Sequence, residues 1–183
     1  MTVTGIPNYV AGRWSLDPAH TEIGFVVRHM MVSKVRGHFE KYNATIVTAP
    51  NPADSYAEVE VDLSSITTGN DQRDAHLRSS DFFNVEASPT MTFRSTAVRP
   101  NGEDFLVDGD LTIRDVTRPI TLKVELGGVG PDPYGGIRSG FSATADINRR
   151  DFGVNWNAAI EGGGVVVSDK VTITIEAEAV LDR

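Results

Sequence analysis

Residues 56–63 read YAEVEVDL, an unbroken alternation of apolar and acidic or polar side chains. Period-two alternation predicts a β-strand that buries one face and exposes the other to solvent. The same alternation recurs along most of the chain, so this pattern decides the fold class. In this segment the predicted buried row is Ala57, Val59, Val61 and Leu63.

Eight segments carry the strand pattern, and they are separated by short polar or glycine-containing links. We predict strands at residues 20–30, 37–47, 56–63, 90–98, 103–114, 119–126, 140–147 and 171–180. A parallel sheet would need helices between its strands, whereas hairpin-length links favour an antiparallel sheet. The sequence therefore predicts an all-β protein, an elongated eight-stranded antiparallel barrel of lipocalin-like type. In the second strand Phe39 and Tyr42 are out of parity, which predicts a bulge.

The alternation stops at residues 70–84, which read NDQRDAHLRSSDFFN. We predict a short helical insertion there, with a helix over residues 71–79 and Asn70 or Asp71 as its N-cap. The two phenylalanines that follow are expected to pack against one end of the barrel. This segment is interpreted as a lid or clasp.

Composition limits the possible functions. The 183 residues suit one domain, 1–183, with a single core. A net charge of -8 disfavours nucleic acid as a partner, and the absence of cysteine excludes thiol chemistry and cysteine-based zinc sites. Residues 1–14 lack the pattern of a secretory signal, and the longest apolar runs, such as 165–167, are far shorter than the ~20 residues of a membrane span. These features predict a cytoplasmic protein without stable membrane insertion.

Four longer stretches together resemble the YceI-like family of polyisoprenoid-binding, lipocalin-like proteins. They are WSLDPAHTEIGFVVRHM (14–30), NDQRDAHLRSSDFFNVEASPTMTF (70–93), GDLTIRDVTRPITLKV (109–124) and FSATADINRRDFGV (141–154). The resemblance extends from Trp14 to Val180. It implies a barrel with a short helical insertion that holds a long isoprenoid chain in an apolar lumen. It also implies a homodimer as one option, and a periplasmic location for many relatives.

The inward rows of the predicted strands can line either a ligand cavity or a filled core. Several inward positions carry small side chains, which leave volume inside a barrel of eight strands. We therefore predict a lumen that binds a polyisoprenoid such as an isoprenoid quinone or a prenyl diphosphate. Its predicted lining is Ile23, Phe25, Val27, Val59, Val61, Phe93, Val107, Leu122, Val124, Phe141, Ala143, Ile173 and Ile175.

The charges of the helical insertion have two interpretations. Arg73 and Arg78, with Arg36, could form a polar collar around a diphosphate head group. Alternatively, the helix is solvated, and Asp74 and Arg78 pair with each other, four residues apart, and with neighbouring loops. Charge runs on short helices are usually of the second kind.

Short catalytic motifs occur in the chain without the partners that they need. Residues 151–153 spell DFG without the other kinase motifs, and residues 20–22 spell HTE without the cysteines of a zinc deaminase. The glycines at 162–164 do not form a phosphate-binding motif. The four histidines, His20, His29, His38 and His76, lack metal-ligand spacing. We predict no metal and no cofactor.

The sequence thus predicts a non-enzymatic protein for lipid sequestration or transport. Two alternatives stay open. One is an enzyme that acts on an apolar substrate in the barrel, with His29 or His76 as general base. The other is a stress-response module that binds protein and has a filled barrel.

Overall fold

A computed structural model describes residues 5–30, 32–158 and 166–183. Over these residues the chain forms eleven strands, one helix and four short 3-10 turns. The glycine stretch 162–164 lies outside the described residues. The strands are β1 (Gly12–Leu16), β2 (Glu22–His29), β3 (Ser33–Phe39), β4 (Tyr42–Thr48), β5 (Tyr56–Asp62), β6 (Ile66–Thr67), β7 (Thr90–Asn101), β8 (Asp104–Ile113), β9 (Val116–Pro131), β10 (Ile137–Asn148) and β11 (Val167–Leu181), the helix is α1 (Asp71–Arg78), and the 3-10 turns are Pro18–His20, Pro52–Asp54, Leu63–Ser65 and Arg149–Phe152.

The strands form one antiparallel sheet that closes on itself. Eight strands follow one another around the barrel in the order β1, β4, β5, β7, β8, β9, β10, β11, and β11 pairs with β1 to close the ring. The edge of β11 that pairs with β1 near its C-terminal end pairs with β2 along the rest of its length. The strand β2 in turn pairs with β3. The two segments β1 and β2 thus act as one long strand interrupted by the turn Pro18–His20. The predicted eight-stranded antiparallel barrel is confirmed.

The structure corrects two details of the strand assignment. Residues 37–47 do not form one bulged strand, because the ladder breaks at Glu40 and Lys41. On one side of this break β3 pairs with β2, and on the other side β4 pairs with β1 and β5. The strand Gly12–Leu16 was not predicted, because five residues are too few for a clear alternation.

The helix α1 fills a gap in the barrel wall. The short strand β6 pairs with β3 alone, so the sheet has no ladder between β3 and β7 at this end. The chain between Asn70 and Pro89 covers this opening. As predicted, Asn70 caps the helix, since its Oδ1 accepts a hydrogen bond from the Arg73 amide at 3.0 Å.

The predicted pair of Asp74 and Arg78 is wrong. The Asp74 carboxylate is buried and accepts hydrogen bonds from Thr68, at 2.9 Å from the amide and 2.5 Å from the hydroxyl. These bonds tie α1 to the chain that follows β6. A buried carboxylate needs hydrogen-bond donors. The two hydrogen bonds from Thr68 stabilise it more than a solvent-exposed i,i+4 ion pair would.

The barrel interior differs between its two halves. In the half that contains β1 and β4, inward residues are tightly buried, with Trp14 4% and Ala179 2% exposed. In the half that contains β2, β3 and α1, two clusters of larger apolar residues surround an open space. Leu77 on α1 packs against both clusters and therefore connects α1 to the barrel wall.

None of the helices in the described part of the chain has the length and apolar character that crossing a bilayer requires.

Candidate functional site: an apolar cavity closed by α1

The barrel half that faces α1 contains a cavity of about 580 Å³. This volume is in the range of small-molecule sites, roughly 300 to 1,000 Å³. The lining comes from the strands, from residues 70–83 and 149–156 outside the sheet, and from Val166 just before β11. Apolar side chains make up most of the wall, so the cavity is suited to an apolar ligand.

Nine of the thirteen predicted lumen residues line this cavity: Ile23, Phe25, Val27, Val59, Val61, Phe93, Leu122, Ile173 and Ile175. The other four, Val107, Val124, Phe141 and Ala143, do not line it. Ala143 pairs with Val124 and with Ile175 in the sheet, and only the last of these three reaches the cavity. The boundary of the cavity thus crosses the inward rows partway along the barrel.

Sequence reasoning missed several residues of the wall. Some lie on inward rows, and the alternation could have identified them: Phe39, Met91, Leu111, Ile113 and Ile120. Others lie outside the sheet, where the sequence has no alternation that could identify them: Leu77, Phe82, Phe83, Phe152, Val154 and Trp156.

Three rings, two from residues 70–83 and one from residues 149–156, form one aromatic wall. The ring of His76 on α1 lies edge-on to Phe82 and to Trp156, with centroid distances of 5.0 and 4.7 Å. The rings of Phe82 and Trp156 are 5.3 Å apart. Edge-to-face packing at these distances is favourable, so the wall joins α1 to the segment after β10.

Arg149 holds that segment in place. Its side chain is 5% exposed and donates hydrogen bonds to the carbonyl oxygens of Val154 and Trp156, both at 2.8 Å, and of Ser168 at 2.9 Å. Asp169 lies 3.6 Å from the guanidinium. Burial lowers the pKa of Arg149, and the charge of Asp169 opposes this effect. The arginine thus supplies the partners that the irregular backbone of this cavity wall needs.

Polar side chains occupy one end of the cavity, at the end of β2 and along α1. They include His29, Asn70, Gln72, Arg73 and His76.

The predicted head-group arginines are not brought together. Arg73 lines the cavity, but its Nε and Nη2 donate to the hydroxyl and carbonyl oxygens of Thr68, both at 2.7 Å. Arg36 is exposed, and neither it nor Arg78 lines the cavity. A collar made from all three residues does not exist in this structure.

His76 is held by Asp81, whose carboxylate Oδ2 lies 2.9 Å from the imidazole Nε2. An ionised carboxylate only accepts hydrogen bonds, so Nε2 donates in this pair. The histidine ring is thereby fixed in the aromatic wall, and Nδ1 is the nitrogen left for a further contact.

The described residues contain one close group of potential metal ligands, Asp17, His20 and Glu178. Arg138 already lies among them, with Nη1 2.7 Å from Asp17 Oδ2 and 3.0 Å from Glu178 Oε2. Hydrogen bonds from Arg138 and His20 lower the pKa of Asp17 to about 2, and the bond to Asp17 raises the pKa of His20. The guanidinium supplies the positive charge here, so the group is an ion-pair network.

Comparisons with known proteins agree with this architecture. The profile of the YceI-like domain matches residues 14–179. Protein YceI of Escherichia coli is 35% identical over 177 residues, which cover 95% of this chain and 90% of that protein. The crystal structure of the Campylobacter jejuni YCEI protein is 33% identical with a TM-score of 0.74, and the match covers 97% of this chain and 100% of that one.

A polyisoprenoid binding domain from Saccharophagus degradans has the same fold. It is 19% identical with a TM-score of 0.69, and the match covers 92% of this chain and 98% of that one.

Proposed function

The chain belongs to the YceI-like family, and on that premise we propose that it binds a polyisoprenoid lipid in its apolar cavity and holds it for sequestration or transport. The observation that carries this proposal is the cavity itself, whose wall is apolar along the strands and polar at one end. Such a wall matches an amphipathic ligand with a long apolar tail. The polyisoprenoid binding domain with the same fold supports the choice of lipid.

Burial of the tail would supply most of the affinity. Each buried CH₂ group contributes roughly 0.8 kcal/mol, so one five-carbon isoprene unit contributes on the order of 3 to 4 kcal/mol before the entropic costs of binding. A few units inside the cavity are therefore sufficient for tight binding without any ionic contact.

The polar end favours a neutral head group, such as that of a quinone, over a diphosphate. Arg73 and Arg149 line the cavity but donate to protein oxygens, and the third lining arginine, Arg28, is exposed. A diphosphate would need several free cationic donors.

The rival functions fit less well. The family and its structural neighbours suggest a binding protein rather than an enzyme. His76, one of the two predicted bases, uses Nε2 for Asp81, and in the described part of the chain no serine or lysine side chain hydrogen-bonds to its imidazole. A protein-binding module with a filled barrel would have no cavity, whereas this barrel has one in the half that faces α1. The cytoplasmic location and the homodimer stay predictions.

A lipid assay and a fluorescence assay test the proposal. Organic extraction of purified protein followed by mass spectrometry should identify a stoichiometric isoprenoid. Delipidated protein should then bind an isoprenoid quinone, which quenches tryptophan fluorescence at short range. The chain has two tryptophans, Trp156 in the cavity wall and Trp14 in the other half of the barrel.

The two tryptophans give a matched control. We expect quenching to persist in Trp14→Phe and to be lost in Trp156→Phe. Quenching of Trp14 alone would place the quinone outside the cavity. A protein that carries no lipid and binds neither quinone nor prenyl diphosphate would overturn the proposal.

A further inference from the structure

The β2–β3 hairpin carries an exposed apolar tip. Val32 is 80% exposed, and Met30 is 41% exposed. Isolated surface apolar residues are common, but these two, called the hairpin tip below, lie within three residues of each other between β2 and β3. The backbone of Met30 has a φ of 53°, a conformation that glycine or asparagine adopts at lower cost. The tip therefore retains a large apolar side chain at a position where the backbone favours a small or polar one.

Basic side chains follow the tip along both strands of the hairpin. Arg28 on β2 lies directly opposite Lys34 on β3, and Arg36 lies two residues further along the same face of β3. Like charges directly across an antiparallel pair are destabilising. In the described part of the chain none of the three forms an ion pair, although acidic residues outnumber basic ones in the whole protein, 25 to 17.

The hairpin tip adjoins the polar end of the cavity. The amide of Met30 donates to the carbonyl oxygen of Val166 at 2.8 Å, and both Val166 and the neighbouring His29 line the cavity. A surface that contacts the tip would therefore lie next to the polar groups of the cavity.

We propose that the hairpin tip and the outward face of Lys34 and Arg36 dock the protein on the surface of an anionic lipid bilayer. An apolar tip beside unpaired cations suits such a surface in two ways. The apolar side chains enter the headgroup region, and the cations contact the anionic lipids. Docking in this orientation would bring the cavity to the membrane from which a lipid enters or leaves. The role of docking in lipid exchange rests on the proposed function, whereas the docking surface itself is inferred from the residues of the hairpin.

Vesicle flotation tests the docking surface with variants outside the cavity lining. The probes are vesicles of phosphatidylcholine alone and of phosphatidylcholine mixed with phosphatidylglycerol. We expect binding to the mixed vesicles only, weakened by salt because the cations are exposed. Each basic residue near an anionic leaflet contributes roughly a five-fold factor, so Lys34→Gln with Arg36→Gln should weaken binding on the order of twenty-five-fold. Val32→Gln should weaken it further.

Matched controls lie elsewhere on the barrel. Lys41→Gln with Lys123→Gln removes two exposed cations, so this variant has the same net charge as the variant with Lys34→Gln and Arg36→Gln. Tyr134→Gln removes an apolar side chain that is 81% exposed. Both control variants should bind vesicles like the unmodified protein. Equal losses in the control and hairpin variants would overturn the proposal, and so would absence of flotation or equal binding to neutral vesicles. Loss of self-association in the hairpin variants, with flotation unchanged, would assign the surface to a second copy and would also overturn it.

Quinone quenching in solution separates this proposal from the proposed function. The hairpin variants should keep full quenching of Trp156 while they lose vesicle binding. If vesicles bind but no lipid enters the cavity, the lumen proposal fails and the docking surface stands.

Discussion

Arg149 donates a hydrogen bond from Nη1 to the backbone carbonyl oxygen of Trp156 at 2.8 Å, so one buried cation positions the aromatic wall of the cavity. The same nitrogen contacts the carbonyl oxygen of Val154, also at 2.8 Å. The aromatic wall thus depends on Arg149, which directly follows β10 and precedes Trp156 by seven residues.

Replacing Arg149 should destabilise the protein strongly. Arg149→Met leaves several buried carbonyl oxygens without donors, and we expect a loss of about 3 kcal/mol in the free energy of unfolding, measured by urea denaturation. Arg150→Met is the control, because Arg150 is exposed and its side chain pairs, among the described residues, only with Asp169. It should cost less than about 1 kcal/mol. Equal effects of the two substitutions would contradict the assigned role of Arg149.

Tryptophan substitutions should separate inward positions that line the cavity from inward positions that are packed. Ile173→Trp places a ring in the cavity, so quinone binding should fall sharply while stability changes little. Ala143→Trp instead overpacks a site that is 3% exposed and does not line the cavity, at a cost of ~1 to 3 kcal/mol. Thermal unfolding and quinone titration of both ligand-free variants make the comparison. A stable Ala143→Trp variant that no longer binds quinone would show that the cavity extends further than the structure indicates.

Removal of the Asp74 carboxylate should loosen α1. Asp74→Ala leaves the amide and hydroxyl of Thr68 without their acceptor, which we expect to cost about 1 to 3 kcal/mol and to speed hydrogen exchange in residues 71–78. Arg78→Ala should change stability by less than about 0.5 kcal/mol, because its side chain has no ion pair among the described residues. If the two substitutions had equal effects, the i,i+4 pair would be the correct interpretation after all.

The ion-pair network around His20 should make stability depend on pH. The hydrogen bond to Asp17, followed by the charge of Glu178, raises the pKa of His20 above 6.5. The stabilisation is therefore fully present below pH 6.5 and is lost as the pH rises through the raised pKa. The pKa of Asp17 is lowered to about 2 from 3.8, so its carboxylate stays ionised through this range.

We accordingly expect His20→Gln to lower the melting temperature more at about pH 5 than at about pH 9. In the Asp17→Asn background this difference between the two pH values should shrink, because the largest cause of the raised pKa is gone. A pH-independent effect of His20→Gln would mean that the histidine contributes by packing alone.

The sequence by itself determined the barrel and much of its lining. Alternation in segments such as 56–63 and 171–180 directs apolar rows inwards, and side-chain direction along a strand follows from covalent geometry alone. The helix at Asp71–Arg78 was likewise predictable, because its cap and its break in alternation are local features.

Only the tertiary structure decided where the cavity ends and what closes it. Ala143 and Ile173 lie on inward rows with the same local pattern, yet only Ile173 reaches the cavity, because its position depends on which strands face it across the barrel. Trp156 and Arg149 lie outside the alternating segments, and their roles come from contacts with α1 and β11. The pairing of Asp74 with Thr68 rather than Arg78 has the same origin. Burial removes water from the carboxylate, and the partner that the fold brings close to it replaces that water.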